Sequence, residues 1–366
     1  MCAVVFVCFS FLWLYYFQAD VLAVTQHILS GGQTHYDRTI GALIITVVLL
    51  LLQVVIYSII KLRKFSHALT FFPSMVGLAL LTSASYTIDN SLSIGHLWWI
   101  CPLLMIVWGF AVMAAHKIQP YEKYAASGLF SRCMWVNMLL MVLMTLFVAF
   151  AGNTNSVFHF RVHAETALSE RNYDEALRVG HLSVETDGSL MMLRMYALSR
   201  KGLLGEKLFS YPLVASSDVM LPTGGDAQMI KYPVDSLYRH IGAIPRQPMR
   251  PMDYLRTILR SGQAKPAAKD YLLCGYLIDK DLDGFAQTLS RFYPLNDSLP
   301  RYYREALVLY AHLRSHPVIT YHDAVLNEDF EDFRELESSC STESERRGKV
   351  LENYANSYWY YYGYIE

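Results

Sequence analysis

The stretch at residues 134–151 constrains the fold of this chain more than any other feature. Its eighteen residues are apolar on every side and carry no charge. A helix of that length spans about 27 Å, close to the roughly 30 Å thickness of a bilayer core. The residues before it alternate apolar runs with short loops, whereas the residues after it are charged and amphipathic. We therefore interpret it as the last transmembrane helix, which joins a membrane half to a water-soluble half.

The distribution of charge supports this division. Residues 1–151 contain 7 Lys and Arg and 4 Asp and Glu, against 24 and 28 in the rest of the chain. A soluble domain carries far more, because about a quarter of the residues in globular domains are charged. The second half is long enough to form its own core. Neither half is strongly basic, so no nucleic-acid binding is predicted.

Five apolar segments predict the helices of a transmembrane domain over residues 1–151. They are about 1–19, 40–60, 68–88, 96–115 and 131–151. The first has no basic flank before it and no small-residue cleavage site after it, so we expect an uncleaved helix and not a signal peptide. No Lys, Arg, Asp or Glu lies deep inside a segment, which argues against a pump or an ion pathway.

The loop charges predict the orientation. Six Lys or Arg residues lie in the loops on one side of the predicted bundle, and Arg38 alone lies in the loops on the other side. Because basic loops stay in the cytoplasm, we expect a cytoplasmic N-terminus and, after five crossings, an extracytoplasmic C-terminal domain.

The outer loop, residues 20–39, holds the densest group of polar residues in the membrane half, and three interpretations stay open. In a membrane enzyme, Asp37 and His35 beside Arg38 would be the acid/base candidates for a lipid-linked substrate. His27, His35 and Asp37, with His96 from the next outer loop, would be weak candidates for a metal site. The simplest interpretation is a loop that meets lipid headgroups and water, and the sequence favours it.

Common catalytic and cofactor-binding motifs are missing from the sequence. It contains no phosphate-binding loop, GxGxxG, nucleophile elbow or HExxH. The cysteines show no zinc-ligand spacing, and in the second half Cys274 and Cys340 could pair only in an oxidising compartment. The sequence therefore predicts no cofactor and favours a non-enzymatic role.

The second half, residues 158–366, shows an apolar period of 3.6 and predicts an all-α domain. Predicted helices include 173–186 and 342–362, and a proline- and glycine-rich irregular connection covers about 221–251. Residues 198–212 and 277–294 repeat one pattern of helix, charged turn, second helix and aromatic-Pro.

Residues 171–178 add the Tyr and Ala-Leu spacing of a tetratricopeptide-like hairpin. These patterns predict a helical-hairpin solenoid, with a non-repeating helical bundle as the alternative. The tail, residues 354–364, is rich in Tyr and Trp, and it either caps the last hairpin or also offers a face to a partner.

Residues 17–38, 299–307 and 358–362 carry a resemblance to a known group of proteins. They are similar to a family of uncharacterised multi-pass membrane proteins of Bacteroides-type bacteria. The resemblance implies a bacterial inner membrane and a periplasmic C-terminal half. It implies no activity, so it assigns no catalytic residue.

Two functional hypotheses follow. The leading one is an inner-membrane protein that contacts membrane lipids and presents a periplasmic helical-repeat domain as a binding platform for a protein or peptide partner in the cell envelope. The alternative is the membrane enzyme, which would act on a lipid-linked substrate through the loop 20–39.

Overall fold

The computed structural model describes residues 1–86, 92–93, 97–119, 131–222, 227–296 and 298–365. The chain folds as two compact units, Met1–Asn155 and Ser156–Glu366. The described residues are helical throughout, apart from loops and one antiparallel pair of two-residue strands, β1 (Ser85–Tyr86) and β2 (Leu92–Ser93). The prediction of an all-helical protein is confirmed.

The first unit contains six apolar α-helices among its described residues. A π-helical turn, Trp13–Phe17, extends the first of them, and a 3₁₀ segment, Lys64–Phe71, leads into the fourth. Their bounds are α1 Cys2–Leu12, α2 Ala19–Leu29, α3 Arg38–Ile60, α4 Phe72–Thr82, α5 Leu97–Ile118 and α6 Arg132–Ala151.

Length and composition make four segments of this unit long and apolar enough to cross a membrane. They are Arg38–Ile60, Lys64–Thr82, Trp99–Ile118 and Arg132–Ala151. A fifth is possible at Cys2–Phe17 with Ala19–Leu29, which are bent against each other by 73°. The bend falls at Gln18, whose Nε2 donates to Asn153 O at 3.0 Å.

The helix predicted over 68–88 ends earlier, at Thr82. The backbone N–H of Asn153 donates to Thr82 O at 2.7 Å, and the Asn153 side-chain amide donates to Ala84 O at 3.1 Å. These bonds hold the chain in a turn, after which β1 begins. Residues 87 and 88 lie outside the described part of the chain.

Inside the first unit, buried polar side chains bond backbone groups that lack a helical partner. Asn137 of α6 accepts the N–H of Ala68 at 2.7 Å and donates to Lys64 O at 2.7 Å. It therefore fixes the start of the 3₁₀ segment against α6, because an unpaired amide in an apolar surrounding would cost several kcal/mol.

The second unit is built from twelve α-helices among its described residues. They are α7 Ser156–Ser169, α8 Tyr173–Arg178, α9 Gly188–Arg200, α10 Leu204–Lys207, α11 Val234–Ile241, α12 Pro251–Arg260, α13 Ala267–Ile278, α14 Leu282–Phe292, α15 Arg301–Leu313, α16 Ala324–Ser339, α17 Glu343–Tyr354 and α18 Tyr358–Tyr364. One continuous core runs from Ala164 to Tyr361. Cys274 and Cys340 are both buried free thiols.

Two of the predicted helices in this unit are wrong in extent. The helix predicted over 173–186 ends at Arg178, because the buried Arg194 guanidinium donates to Val179 O at 3.3 Å and Gly180 O at 3.0 Å. Gly180 then turns the chain with φ +62°.

The segment predicted as one helix over 342–362 is divided into α17 and α18. Ser357 breaks it, since its side chain caps α18 by accepting the N–H of Tyr360 at 3.1 Å.

Four turns that follow helices in this unit share one backbone conformation and hydrogen-bond pattern. In each, a residue with left-handed φ follows the helix, and the next N–H bonds back to the carbonyl five residues earlier. The left-handed residues are Arg171, Gly202, Gly262 and Lys280. The closing bonds are Asn172 N to Ala167 O (2.8 Å), Leu203 N to Leu198 O (2.9 Å), Gln263 N to Ile258 O (3.0 Å) and Asp281 N to Tyr276 O (2.8 Å).

The aromatic tail caps the core of the second unit. Tyr358, Trp359 and Tyr361 of α18 are buried, and Phe209 contacts two of these rings. The carboxylate of Glu305, itself 2% exposed, accepts the N–H of Tyr358 at 2.6 Å. The same carboxylate accepts from Arg301 Nε, also at 2.6 Å. Glu305 therefore pins the start of α18 to α15.

We expect Glu305→Ala to lower the free energy of unfolding of the second unit by about 3 kcal/mol, because it leaves a buried N–H and a half-buried guanidinium without their acceptor. Glu352→Ala, at an exposed position, should change it by less than about 0.5 kcal/mol. Trp359 is the one tryptophan after residue 155. Urea unfolding of the full-length protein, followed by ¹⁹F NMR of 5-fluorotryptophan at Trp359, measures both. Equal midpoints for the two variants would show that Glu305 does not anchor α18.

Candidate functional site

The carboxylate of Asp37 has a structural role in the described fold. It is the N-cap of α3, and its Oδ1 accepts the backbone N–H of Ile40 at 2.8 Å. An N-cap of this kind stabilises a helix by about 1 kcal/mol. The candidate acid/base residue of the outer loop therefore has one carboxylate oxygen engaged in capping.

The other loop candidates are placed by local packing. The guanidinium of Arg38 stands over the Tyr15 ring, 5.5 Å from its centroid. The His35 backbone carbonyl accepts from Gln26 Nε2 at 3.5 Å. The His27 ring lies against Gly32, where an added Cβ would approach its Cε1 to 3.2 Å. The contacts of His35 and His27 fold the loop upon itself, and the contact of Arg38 joins it to the π-helical turn.

The predicted metal candidates do not form a metal-binding group within the described residues. There, no three His, Cys, Asp or Glu side chains stand close enough to hold an ion. His96, the fourth candidate, lies outside the described residues.

An open apolar cleft of about 340 Å³ lies beside this loop in the first unit. Its wall is formed by Leu22, Thr25, Gln26, Leu29, Ser30, Tyr36 and Ile45. None of the loop's acid/base candidates lines it. The cleft supplies apolar contact area without a group that could transfer a proton at neutral pH.

A cleft of about 420 Å³ in the second unit has a different character, and we call it the basic pocket. Its wall combines four cationic side chains with three tyrosines, a serine and a histidine. The residues are Arg171, Arg200, Arg239 and Lys265, then Tyr173, Tyr196 and Tyr232, and finally Ser236 and His240. They come from the turn before α8, from α8, α9 and α11, and from the segments before α11 and α13.

A buried carboxylate builds one side of this pocket. Glu165 of α7 is fully buried and accepts the backbone N–H groups of Ile230, Lys231 and Tyr232, the last at 2.9 Å. Burial raises the pKa of the Glu165 carboxyl, and the three N–H groups act in the opposite direction by favouring the ionised form. This clamp fixes the irregular chain before α11 and so places Tyr232 in the pocket wall.

The tyrosines hold one another and one of the cations. The hydroxyl groups of Tyr196 and Tyr232 lie 3.0 Å apart. The Arg200 guanidinium stands over the Tyr173 ring at 5.3 Å and over the Tyr196 ring at 6.0 Å. Cation–π contacts restrict the arginine without neutralising its charge.

His240 and Lys265 close the opposite side. His240 Nε2 lies 2.9 Å from Ser199 Oγ, and the Lys265 ammonium donates to Arg239 O at 2.6 Å. Gly242 permits the close approach of the chain before α13, since a Cβ there would come within 2.7 Å of Gln263 O. Burial, with the positive charges of Arg200 and Lys265, lowers the pKa of the His240 imidazole to about 4.

The positive charge of the basic pocket is poorly compensated. Among the described residues, Arg239 is the one pocket cation with an ion-pair partner, Asp235 at 3.8 Å, and both side chains are largely exposed. No acidic residue belongs to the wall as described. The arrangement can therefore bind an anion, and its histidine is neutral at pH 7.

Reasoning from the sequence missed this site. Its cations are spread over 95 positions, from Arg171 to Lys265, and no local motif joins them. The one available signal was the repeat pattern, which contained residues 171–178 and so marked Arg171 and Tyr173 as parts of a helix turn.

A comparison with known protein families gives a match in the second unit. A model described as a family of unknown function (DUF6057) matches residues 246–365, about a third of the chain. The matched region holds Lys265 and the anchor formed by Glu305 and α18, and the other pocket residues precede it. No curated protein and no solved structure matches the chain.

The lowered pKa of His240 predicts how the stability of the second unit depends on pH. A histidine whose folded-state pKa lies below its ordinary value of 6.5 adds stability above that value and loses it as the pH falls towards 4. The groups that face it are Arg200, Lys265, Tyr196 and Ser199.

We expect this term to remove about 2 kcal/mol of unfolding free energy between pH 6.5 and pH 4. In His240→Gln this component should be missing, so that the curve of stability against pH is flatter over the same range. Unfolding of full-length protein, followed at Trp359, measures the difference. Parallel curves for the two proteins would contradict the assignment.

Proposed function

We propose that the chain is an inner-membrane protein that presents a helical-repeat module as a binding platform on the periplasmic side. Residues 1–151 anchor it, and residues 158–366 bind a protein or peptide partner of the cell envelope. The observation that carries this proposal is the division into two units, because all candidate spans lie in the first and an independent core lies in the second.

Burial in the first unit supports the anchoring role. Only 17% of the apolar window of α3 is buried, and only 11% of that of α5. In water, exposed apolar faces of this size would drive aggregation, since each Å² of exposed apolar surface costs about 25 cal/mol. In a bilayer the same faces are solvated by lipid, so the anchor would need no further protein to cover them.

The repeated turn supports the platform role. The same left-handed closure follows α7, α9, α12 and α13, and the helices after it pack against their neighbours. Stacked helical hairpins expose long surfaces on which extended partners bind. The basic pocket in this unit adds cations and tyrosines, which suit binding better than acid/base chemistry at pH 7.

The alternative of a membrane enzyme gains no support from the described residues of the loop. Asp37 caps a helix, and neither it nor His35 or Arg38 lines the neighbouring cleft. We therefore propose the platform alone.

Orientation is tested by enzyme fusions. Alkaline phosphatase, which folds only outside the cytoplasm, should be active when fused after Glu366 and inactive when fused after Lys64. This result follows from the six basic residues in the loops of one side and the single one in the loops of the other. The reverse pattern would overturn both the orientation and the platform.

The platform itself is tested by co-purification from membranes in mild detergent. We expect a stoichiometric partner with the full-length chain and its loss when residues 156–366 are deleted, because the binding surface lies in the second unit. His35→Ala with Asp37→Asn should keep the partner. Retention of the partner by the deleted chain would place binding in the first unit and contradict the proposal.

A further inference from the structure

We propose that the basic pocket is a binding site for a small ligand that carries a phosphate monoester. This goes beyond the platform, since it concerns a small molecule in the pocket and does not depend on how a protein partner docks. It depends on the four cations, on the lack of a carboxylate partner for three of them among the described residues, and on the size of the cleft.

The charge of the pocket favours a dianion. Four cationic side chains line one cleft. Among the described residues, only Arg239 is paired with a carboxylate, that of Asp235. The four cationic residues are exposed at the opening of the cleft, so water screens part of their mutual repulsion, and an anion placed among them would relieve the rest. A single carboxylate would leave about half or more of the excess charge unmatched, whereas a phosphate monoester carries close to two negative charges at pH 7.

The donor groups favour a phosphoryl group for a second reason. Guanidinium groups donate in forks that match two phosphate oxygens, and an ammonium group acts as a point charge beside them. The hydroxyl group of Ser236, and whichever hydroxyl of the Tyr196–Tyr232 pair does not donate to the other, add neutral donors within the same wall. Oxygens that point in several directions can accept from all of these groups, whereas a planar carboxylate offers fewer directions.

Contacts within the protein hold several groups of the pocket wall in place. Arg200 is restricted by two tyrosine rings, Lys265 by the carbonyl of Arg239, and the Tyr232 side chain by the hydroxyl group of Tyr196. Binding therefore requires little ordering of these side chains, which otherwise costs about 0.5–1.5 kcal/mol for each one.

The size of the cleft indicates an organic body on the phosphate. Its volume of about 420 Å³ falls in the range of small-ligand sites, roughly 300–1,000 Å³, and exceeds the need of a bare ion. Three tyrosines offer flat, partly apolar surfaces with a polar edge. Such surfaces suit a sugar or an aromatic ring.

The test measures binding to the full-length protein in detergent micelles by calorimetry. The probe is phenyl phosphate, and N-acetylglutamate serves as a dianion with two carboxylates. We expect phenyl phosphate to bind more tightly than N-acetylglutamate, with an affinity that weakens as salt is raised.

Charge-matched variants locate the site. Arg171→Gln with Lys265→Gln should weaken phenyl phosphate binding by about 10- to 100-fold, since each removes a charge-assisted hydrogen bond. Arg291→Gln with Arg347→Gln removes the same charge at exposed positions outside the pocket and should leave affinity within about twofold. Arg239→Gln, at an exposed side chain, gives a second pocket variant that does not threaten folding, with about tenfold loss expected.

A spectroscopic readout separates binding from a structural role. A dianion in the pocket should raise the pKa of His240, and NMR of the histidine ring would follow that rise. Nanodiscs containing phosphatidic acid test whether the monoester belongs to a lipid headgroup. Competition with phenyl phosphate would identify a lipid headgroup as the source of the phosphate monoester. Lack of competition would identify a soluble molecule as its source.

Three results would overturn the proposal. Equal affinity for N-acetylglutamate would assign the pocket to carboxylate groups, as on an acidic peptide. Equal affinities of the two double variants would place the anion elsewhere. Absence of binding to the wild-type protein, with the ¹⁹F spectrum of Trp359 showing a folded second unit, would remove the site while leaving the tests of the platform unaffected.

Discussion

The hydrogen bonds of the buried Glu165 carboxylate are the interaction on which the wall of the basic pocket depends. A charge removed from water costs several kcal/mol unless hydrogen bonds replace its hydration, and here three successive backbone N–H groups do so. The arrangement serves both partners, because those N–H groups belong to an irregular segment without helical acceptors. These bonds fix the segment on α7. They therefore also position α11, which begins directly after the segment and carries His240. Glu305 makes a similar bond in the C-terminal part of the unit, where its carboxylate accepts the N–H of Tyr358, the first residue of α18.

Much of the helical framework could be predicted from the sequence, since the apolar period and the glycine and proline positions are local signals. The errors fall where a distant residue intervenes. The helix predicted to continue to residue 186 ends because Arg194, from the next helix, takes the carbonyls of Val179 and Gly180. The break before α18 depends on Ser357 together with Glu305. A hydrophobic period describes neighbouring residues only, so it does not reveal hydrogen bonds made by residues distant in sequence.

The candidate site was harder to predict for the same reason. The polar residues of the outer loop form a visible pattern because they are close in sequence. In the described structure, however, Asp37 caps α3 and Arg38 lies over an aromatic ring. The basic pocket draws single residues from several helices and turns, so no stretch of sequence looks unusual. Its charge becomes evident only when the fold places Arg171, Arg200 and Lys265 around one cleft.

The shared turn has a consequence for the side chains that it presents. At Gly202 and Gly262 the left-handed position is filled by the residue that adopts it freely, whereas Arg171 and Lys280 hold it at a cost of about 1 kcal/mol. Each of these two side chains reaches a separate target, since Arg171 lines the basic pocket and Lys280 bonds the Ile365 carbonyl. The same backbone conformation therefore accepts either glycine or a basic residue, and the basic side chain can then contact a nearby group. Exchange of glycine for a basic residue at such a turn would therefore change which group the turn contacts while the path of its backbone stays the same.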